Sequence, residues 1–397
     1  MKLRQIKQSG VAVCVAALTP AVTLAVEPNP IELGNLQIIP TLGISATEDD
    51  NIFRNQFNEF ESTIYNYRPR ILTTLDSGPN NFTLDLAADK GEYVETDEDD
   101  YTDWNATLAA HVELNASNAI DLNYRFNDAH EFRGTGFSQG DNIPVLPDEY
   151  EETRLGGTYT LGNNESLGRV ELSIGSYEKD YTNNFVLTQF RERQDDYWGG
   201  AFYYNLSPRT SLLLEYRNRE IEYGATLAGT VPLDSEEEYV FVGIEWEASA
   251  ATTGSLRIGR GEKQFADSRQ SESDLPSVEG DITWTPVEYS TVTFYASQLF
   301  DETQGFGNAI ERTTTGVTWI HEWSSRFSSN ININKSQEDH LGSLRNDDYD
   351  TFSLGFTYSA ARWLDVGLDI GREDRQSNAP GLTMDRGYAA IRLEASL

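Results

Sequence analysis

The sequence predicts an all-β protein, an antiparallel transmembrane β-barrel of about 18 strands that follows a cleaved signal peptide. Three observations point to it. Apolar and polar residues alternate with period two in segment after segment, with almost no helical periodicity. Short turns alternate with long polar loops along the chain. The mean hydropathy of −0.51 excludes a bundle of transmembrane helices. Yet 20 Tyr, 18 Phe and 7 Trp are far too many aromatics for a disordered acidic chain.

The N-terminus reads as a separate unit. Lys2, Arg4 and Lys7 form a basic region, Val11 to Leu18 an apolar one, and Pro20 breaks it before the small-residue site at Thr23, Leu24 and Ala25. The apolar run is too short to span a bilayer. Residues 1–25 are therefore expected to be a signal peptide, 26–37 a short periplasmic segment and 38–397 the barrel. A lipoprotein signal ending at Cys14 is disfavoured because Val13 precedes it. Cys14 is the only cysteine, so the processed chain has no disulfide and no thiolate metal site.

The strands follow from alternation. Phe82, Leu84, Leu86 and Ala88 share one face, opposite Thr83, Asp85, Ala87 and Asp89. Ile120, Leu122, Tyr124 and Phe126 alternate with Asp121, Asn123, Arg125 and Asn127. The same holds for Val240 to Trp246 and for Leu364 to Ile370. Short turns are expected near residues 76–81, 115–118, 162–166, 207–210, 249–252, 286–289, 322–326 and 360–362. Long loops are expected near 48–61, 95–100, 131–148, 180–193, 224–236, 264–272, 301–310, 338–346 and 373–385. Together these connections define 18 strands. Lipid outside and water inside would produce this alternation. Trp104, Tyr159, Tyr204, Trp246, Trp284, Trp319 and Tyr358, near strand ends, suit an aromatic girdle on the lipid face. The short turns would face the periplasm and the acidic loops the outside. A soluble β-sandwich would also alternate, but would not explain the asymmetry of the loops.

The formal charge is −34, from 30 Lys+Arg against 64 Asp+Glu. Such a chain repels nucleic acid. Its expected surroundings are outer-membrane lipid and lipopolysaccharide. Strand parity places Arg68, Arg70, Asp85, Asp121, Arg125, Arg217, Arg219, Glu245, Asp365 and Asp369 on the lumen wall, where acids and bases are nearly balanced. Cross-strand Arg–carboxylate pairs would stiffen that wall, or also line a hydrated path for solute. Parity also turns Tyr177, Tyr203, Tyr239, Phe241 and Trp363 inward, to fill the wall or to pack against sugar rings.

Other motifs carry little chemistry. Gly136, Ser138 and Gly140 match G-x-S-x-G with His130 nearby, but the motif sits in a Gly-rich loop and not between a strand and a helix. His111, His130, His321 and His340 have no metal-ligand spacing. The acidic runs at 48–50, 97–100, 234–238 and 347–350 lack the EF-hand pattern and read as solvated loops. No cofactor, catalytic residue or metal site is expected, and an outer-membrane hydrolase is kept as an alternative.

Residues 38–54, with Pro40 followed by Asp49, Asp50, Asn51, Ile52, Phe53 and Arg54, resemble the opening strand of the putative β-barrel porin 2 family. The segment Leu206 to Leu212, with Tyr216 following, is similar to that family's recurring hairpin. Within the family these motifs most resemble EpsL-like barrels encoded with exopolysaccharide genes. The resemblance implies an outer-membrane conduit or accessory protein for exopolysaccharide, working with periplasmic export components. A general or substrate-selective porin for small solutes is the alternative. Such barrels often end in an aromatic residue, whereas this chain ends in Leu397.

Overall fold

The computed structural model describes residues 30–140, 143–249 and 251–396. The expected signal peptide, 1–25, and residues 26–29 of the segment after it lie outside the described residues.

Eighteen long strands form one closed antiparallel ring. In chain order they are β2 (Leu36–Asp49), β3 (Ser62–Ser77), β4 (Asn80–Tyr93), β5 (Tyr101–Asn115), β6 (Asn118–Glu131) and β7 (Asp148–Leu161). Then come β8 (Gly168–Tyr181), β9 (Arg193–Ser207), β10 (Thr210–Tyr223), β11 (Ser235–Ser249), β12 (Thr252–Phe265) and β13 (Ser273–Val287). The last six are β14 (Ser290–Glu302), β15 (Ala309–Ser324), β16 (Phe327–Leu341), β17 (Asn346–Ala361), β18 (Leu364–Ser377) and β19 (Met384–Ser396). Each pairs with its sequence neighbours, and β19 closes on β2 from Tyr388↔Asp49 to Ser396↔Thr41. A short strand, β1 (Ile31–Leu33), pairs with Leu36 to Ile38 and covers the edge of β2 that β19 leaves free. Closure leaves no long unpaired edge, the condition for backbone to lie in hydrocarbon.

Every expected turn and loop separates two of these strands. The β16–β17 connection is shorter than its polarity suggests, because the ladder runs on to Asp339↔Asn346 and only residues 342–345 lie between the two strands. Trp363 is a correction. It lies in the exposed β17–β18 turn, 56% accessible, and not on the lumen wall.

The two faces of the ring are chemically distinct. Outside, Leu122, Leu172, Ile258 and Leu393 are exposed as a lipid-facing surface must be. Near the short turns, Trp319, His321 and Trp323 form an aromatic row, with ring centroids 5.5 and 4.3 Å apart. The Trp319 and Trp323 indole N–H groups each donate to a serine hydroxyl at 2.9 Å, as belt tryptophans do where apolar and wet layers meet. Inside, Tyr239, Phe241, Leu275 and Phe300 form a small buried apolar cluster.

Candidate functional site: the lumen wall and the loop across its mouth

Period two carries every second side chain of each strand inward, and the ladders set which of them meet. Arg70 holds Asp85 with two bonds of 2.8 and 2.7 Å. Arg68 reaches Asp89 at 2.9 Å, and Arg392 reaches Asp369 at 2.9 Å. Arg217 bridges Glu215 and Glu279 at 2.6 and 2.8 Å. Arg219 bridges Asp195 and Glu237, and Arg257 bridges Glu215 and Glu245. The contacts Arg169–Glu245 and Arg217–Glu279 join strands that are not neighbours. Such chords are possible only on the concave side of a ring, so this face is the lumen. Asp121 takes the Nδ1 of His111 at 2.7 Å. Asp365 is buried and stands opposite Glu394.

Arg125 and Arg154 depart from this pattern. They face each other across β6 and β7, and among the described residues neither makes an ion pair. Arg154 lies over the Tyr177 ring at 5.0 Å, while Arg125 is exposed to the lumen.

The inward aromatics fill the wall. Tyr177, Tyr203, Tyr239 and Phe241 are 0–8% accessible. Arg169 covers Tyr203 at 3.9 Å and Arg217 covers Phe241 at 4.9 Å, so these faces are not open to a sugar ring.

Residues missed by the sequence reading complete the wall. Lys263 is fully buried between Glu237 and Glu302, each at 2.7 Å. Arg386 binds Asp49 at 2.6 Å. Lys263 has the same inward parity as Arg257 and precedes the loop expected at 264–272, but Gly259 and Gly261 interrupt the polar row between them, so alternation did not single it out. The acidic runs are also corrected. Asp49, Asp99, Glu237 and Asp347 are buried and held by Arg386, Arg133, Lys263 and Arg345. The inward members of these runs anchor loops to the wall and are not solvated.

Residues 132–140 of the loop after β6 cross the mouth. At its root Arg133 Nε donates to Asp99 at 2.6 Å, and Ser138 Oγ donates to Asp148 at 3.0 Å. At its tip Gln139 donates to Gln304 at 3.3 Å and accepts from Arg345 at 2.7 Å. Gln304 lies in the β14–β15 loop and Arg345 in the β16–β17 loop. Each of those connections is eight strands from β6–β7, counted in opposite directions round the ring. The loop therefore spans the opening from one side to nearly the opposite one. Two glycines permit the path. Gly134 has φ +86°, and a Cβ there would sit 1.8 Å from the Phe53 carbonyl oxygen. Gly140 has φ +63° and rests against Leu382. The G-x-S-x-G match thus marks the crossing segment. Ser138 is bonded to Asp148, while His130 Nδ1 is bonded to Asp103 at 2.9 Å and its ring lies against Tyr101, centroids 4.0 Å apart and tilted by 33°. Ser138 and His130 are therefore not arranged as nucleophile and base.

The family model for putative beta-barrel porin 2 matches residues 25–395. Among solved structures, the chain is similar to Pseudomonas aeruginosa OccK2 (OpdF) in complex with glucuronate, with TM-score 0.50, 11% identity, and 91% of this chain and 98% of that one covered. It is also similar to Pseudomonas aeruginosa OpdK with vanillate, with TM-score 0.49, 11% identity, and 91% and 99% covered. No curated protein matches it.

Proposed function

Because the chain belongs to the putative beta-barrel porin 2 family, and so to the Gram-negative outer membrane, we propose that it is a selective porin for small solutes. One observation carries the reading: a loop folded across the mouth stands over a wall whose charges are mostly cancelled in pairs. A barrel of 18 strands is wide enough for an aqueous channel, and an inward loop narrows it to small molecules. The loop end faces the outside and the short turns face the periplasm. Arg125 and Arg154 give the path a local attraction for anions. No cofactor or covalent step is needed.

Polymer export, which the likeness to EpsL-like barrels implies, gains no support from the family match. A mouth crossed from side to side also suits single small solutes better than a moving chain.

The test is conductance of the purified barrel in a planar lipid bilayer. Discrete small steps are expected. Replacing residues 135–140 with a short Gly-Ser link should enlarge each step several-fold while the barrel stays folded. A folded barrel that conducts neither with nor without the loop would overturn the porin reading.

A further inference from the structure

At the loop end, β16 and β17 bring together three buried side chains, among them Asp347, the acid that Arg345 holds. Glu338 and His340 lie two apart on the inner face of β16, and Asp347 stands opposite Glu338 on β17. Their side chains are 6%, 0% and 0% accessible. His340 Nδ1 lies 3.2 Å from the carbonyl oxygen of Phe306. A carbonyl only accepts, so Nδ1 carries the proton and Nε2 presents its lone pair. That lone pair looks at Glu338 Oε2 from 3.8 Å and at Asp347 Oδ2 from 3.7 Å.

These separations are too long for hydrogen bonds. Glu338 Oε2, His340 Nε2 and Asp347 Oδ1 have no hydrogen-bond partner among the described residues. His340 Nε2 and Glu338 Oε2, two buried acceptors 3.8 Å apart with no donor between them, are costly. The two separations from His340 Nε2, 3.8 and 3.7 Å, fit a shared cation, and one ligand atom from each of the three residues lies within 4.8 Å of the others. Bonds of about 2.0–2.2 Å at angles of about 110–130° place ligand atoms roughly 3.4–3.8 Å apart. The support around the group is also of the right kind. The imidazole is oriented through its other nitrogen by a backbone carbonyl. Arg312 binds Glu338 Oε1 at 2.8 Å, and Arg345 Nε binds Asp347 Oδ2 at 2.9 Å. Both carboxylates are thereby held in place: Glu338 keeps Oε2 free toward His340, whereas Asp347 turns toward His340 the Oδ2 that Arg345 also holds and keeps Oδ1 free.

We propose that Glu338, His340 and Asp347 bind one divalent transition-metal ion of the zinc class. One imidazole and two carboxylates suit such an ion better than magnesium or calcium, which prefer all-oxygen sites. The ion ties the β16–β17 connection to Phe306 of the β14–β15 loop. Arg345, on Asp347, is the residue that grips Gln139 of the crossing loop, so the metal stiffens the far anchor of the mouth. Sequence spacing could not show this site, because its third ligand comes from the neighbouring strand.

The experiment uses the full barrel, refolded in detergent and freed of metal by a chelator, with folding checked by heat-modifiable electrophoresis. Cobalt(II) should add one equivalent with visible absorption of a low-coordinate nitrogen–oxygen site, and zinc should displace it. Zinc should also raise the melting temperature of the wild-type barrel. His340→Ala and Asp347→Asn should each abolish the band, whereas His321→Ala on the outer girdle should keep it. A folded wild-type barrel that binds neither ion overturns the proposal without need of any variant. So does a cobalt band that survives both His340→Ala and Asp347→Asn. Conductance is not read here, so failure of this site and failure of the porin reading are separate results.

Discussion

Lys263 shows how much one side chain can decide. Its ammonium has no solvent and two carboxylate partners, Glu237 and Glu302. Lys263→Met keeps the length but strands the buried charge of Glu302 and leaves Glu237 with only its longer contact to Arg219. Breaking such a group by removing one partner costs on the order of 3–5 kcal/mol. The denaturation midpoint of the refolded barrel should fall accordingly. Combining Lys263→Met with Glu237→Gln and Glu302→Gln should recover most of the loss. Arg260, on the outer face of the same strand, also meets a carboxylate, Asp274, but the pair is 66% and 52% exposed. Arg260→Gln should leave the midpoint nearly unchanged. Equal losses for Lys263→Met and Arg260→Gln would refute the assignment of faces. Gly134 is a second case. Gly134→Ala meets both a positive φ and the Phe53 carbonyl, so the crossing loop should loosen. Faster proteolysis within 132–147, with an unchanged barrel midpoint, is the expected result.

Strands were legible in the sequence and loop paths were not, for a physical reason. A strand between lipid and water must alternate, so Ile120 to Asn127 announces its two faces residue by residue. A loop is held by a few non-local bonds that leave no period. Polarity marked residues 131–148 as a loop, but nothing in it said that Gln139 would meet Gln304 and Arg345. Where parity ran unbroken it put Arg68, Arg70 and Arg217 on the face on which each meets a carboxylate. Parity failed where a turn began, as at Trp363, or where glycines interrupted the polar row before Lys263. Anchors at loop ends are also open to test by pH. Glu95, in the loop between β4 and β5, accepts from the Ser62 hydroxyl at 2.7 Å and the Thr63 amide at 2.9 Å. These two bonds hold its carboxyl below the usual glutamate range. A lowered value in the folded state means that the anchor is fully present above the unfolded glutamate value. It is lost as pH falls through the lower folded one. Exchange of the Thr63 amide should therefore stay slow on acidification past the usual glutamate range, then quicken below it. Glu95→Gln should remove that pH step, and a step at the ordinary glutamate value would count against the anchor.

Across the whole molecule, charge is sorted by position. The chain carries −34, yet most wall arginines are matched to carboxylates at close range. A matched pair presents little field to a passing ion, so selectivity has to come from the exceptions. Arg125 and Arg154 stand opposite each other, an arrangement that is unfavourable for like charges on neighbouring strands. Two consequences separate a conducting role from a structural one. Replacing both with Gln removes repulsion, so the barrel should be no less stable. The same change removes the local positive potential, so the reversal potential in a KCl gradient should move toward cation preference by a several-fold change in permeability ratio. The effect should shrink at high salt, because exposed charges in a water-filled lumen are screened over about 10 Å at 0.1 M. Removing a matched pair instead, with Arg70→Gln and Asp85→Asn together, leaves the net charge of the wall unchanged and should move the reversal potential little. If both double variants shift it equally, the arginine pair holds no special place in the path. If the Arg125 and Arg154 variant loses stability and keeps its selectivity, the pair is part of the wall's support.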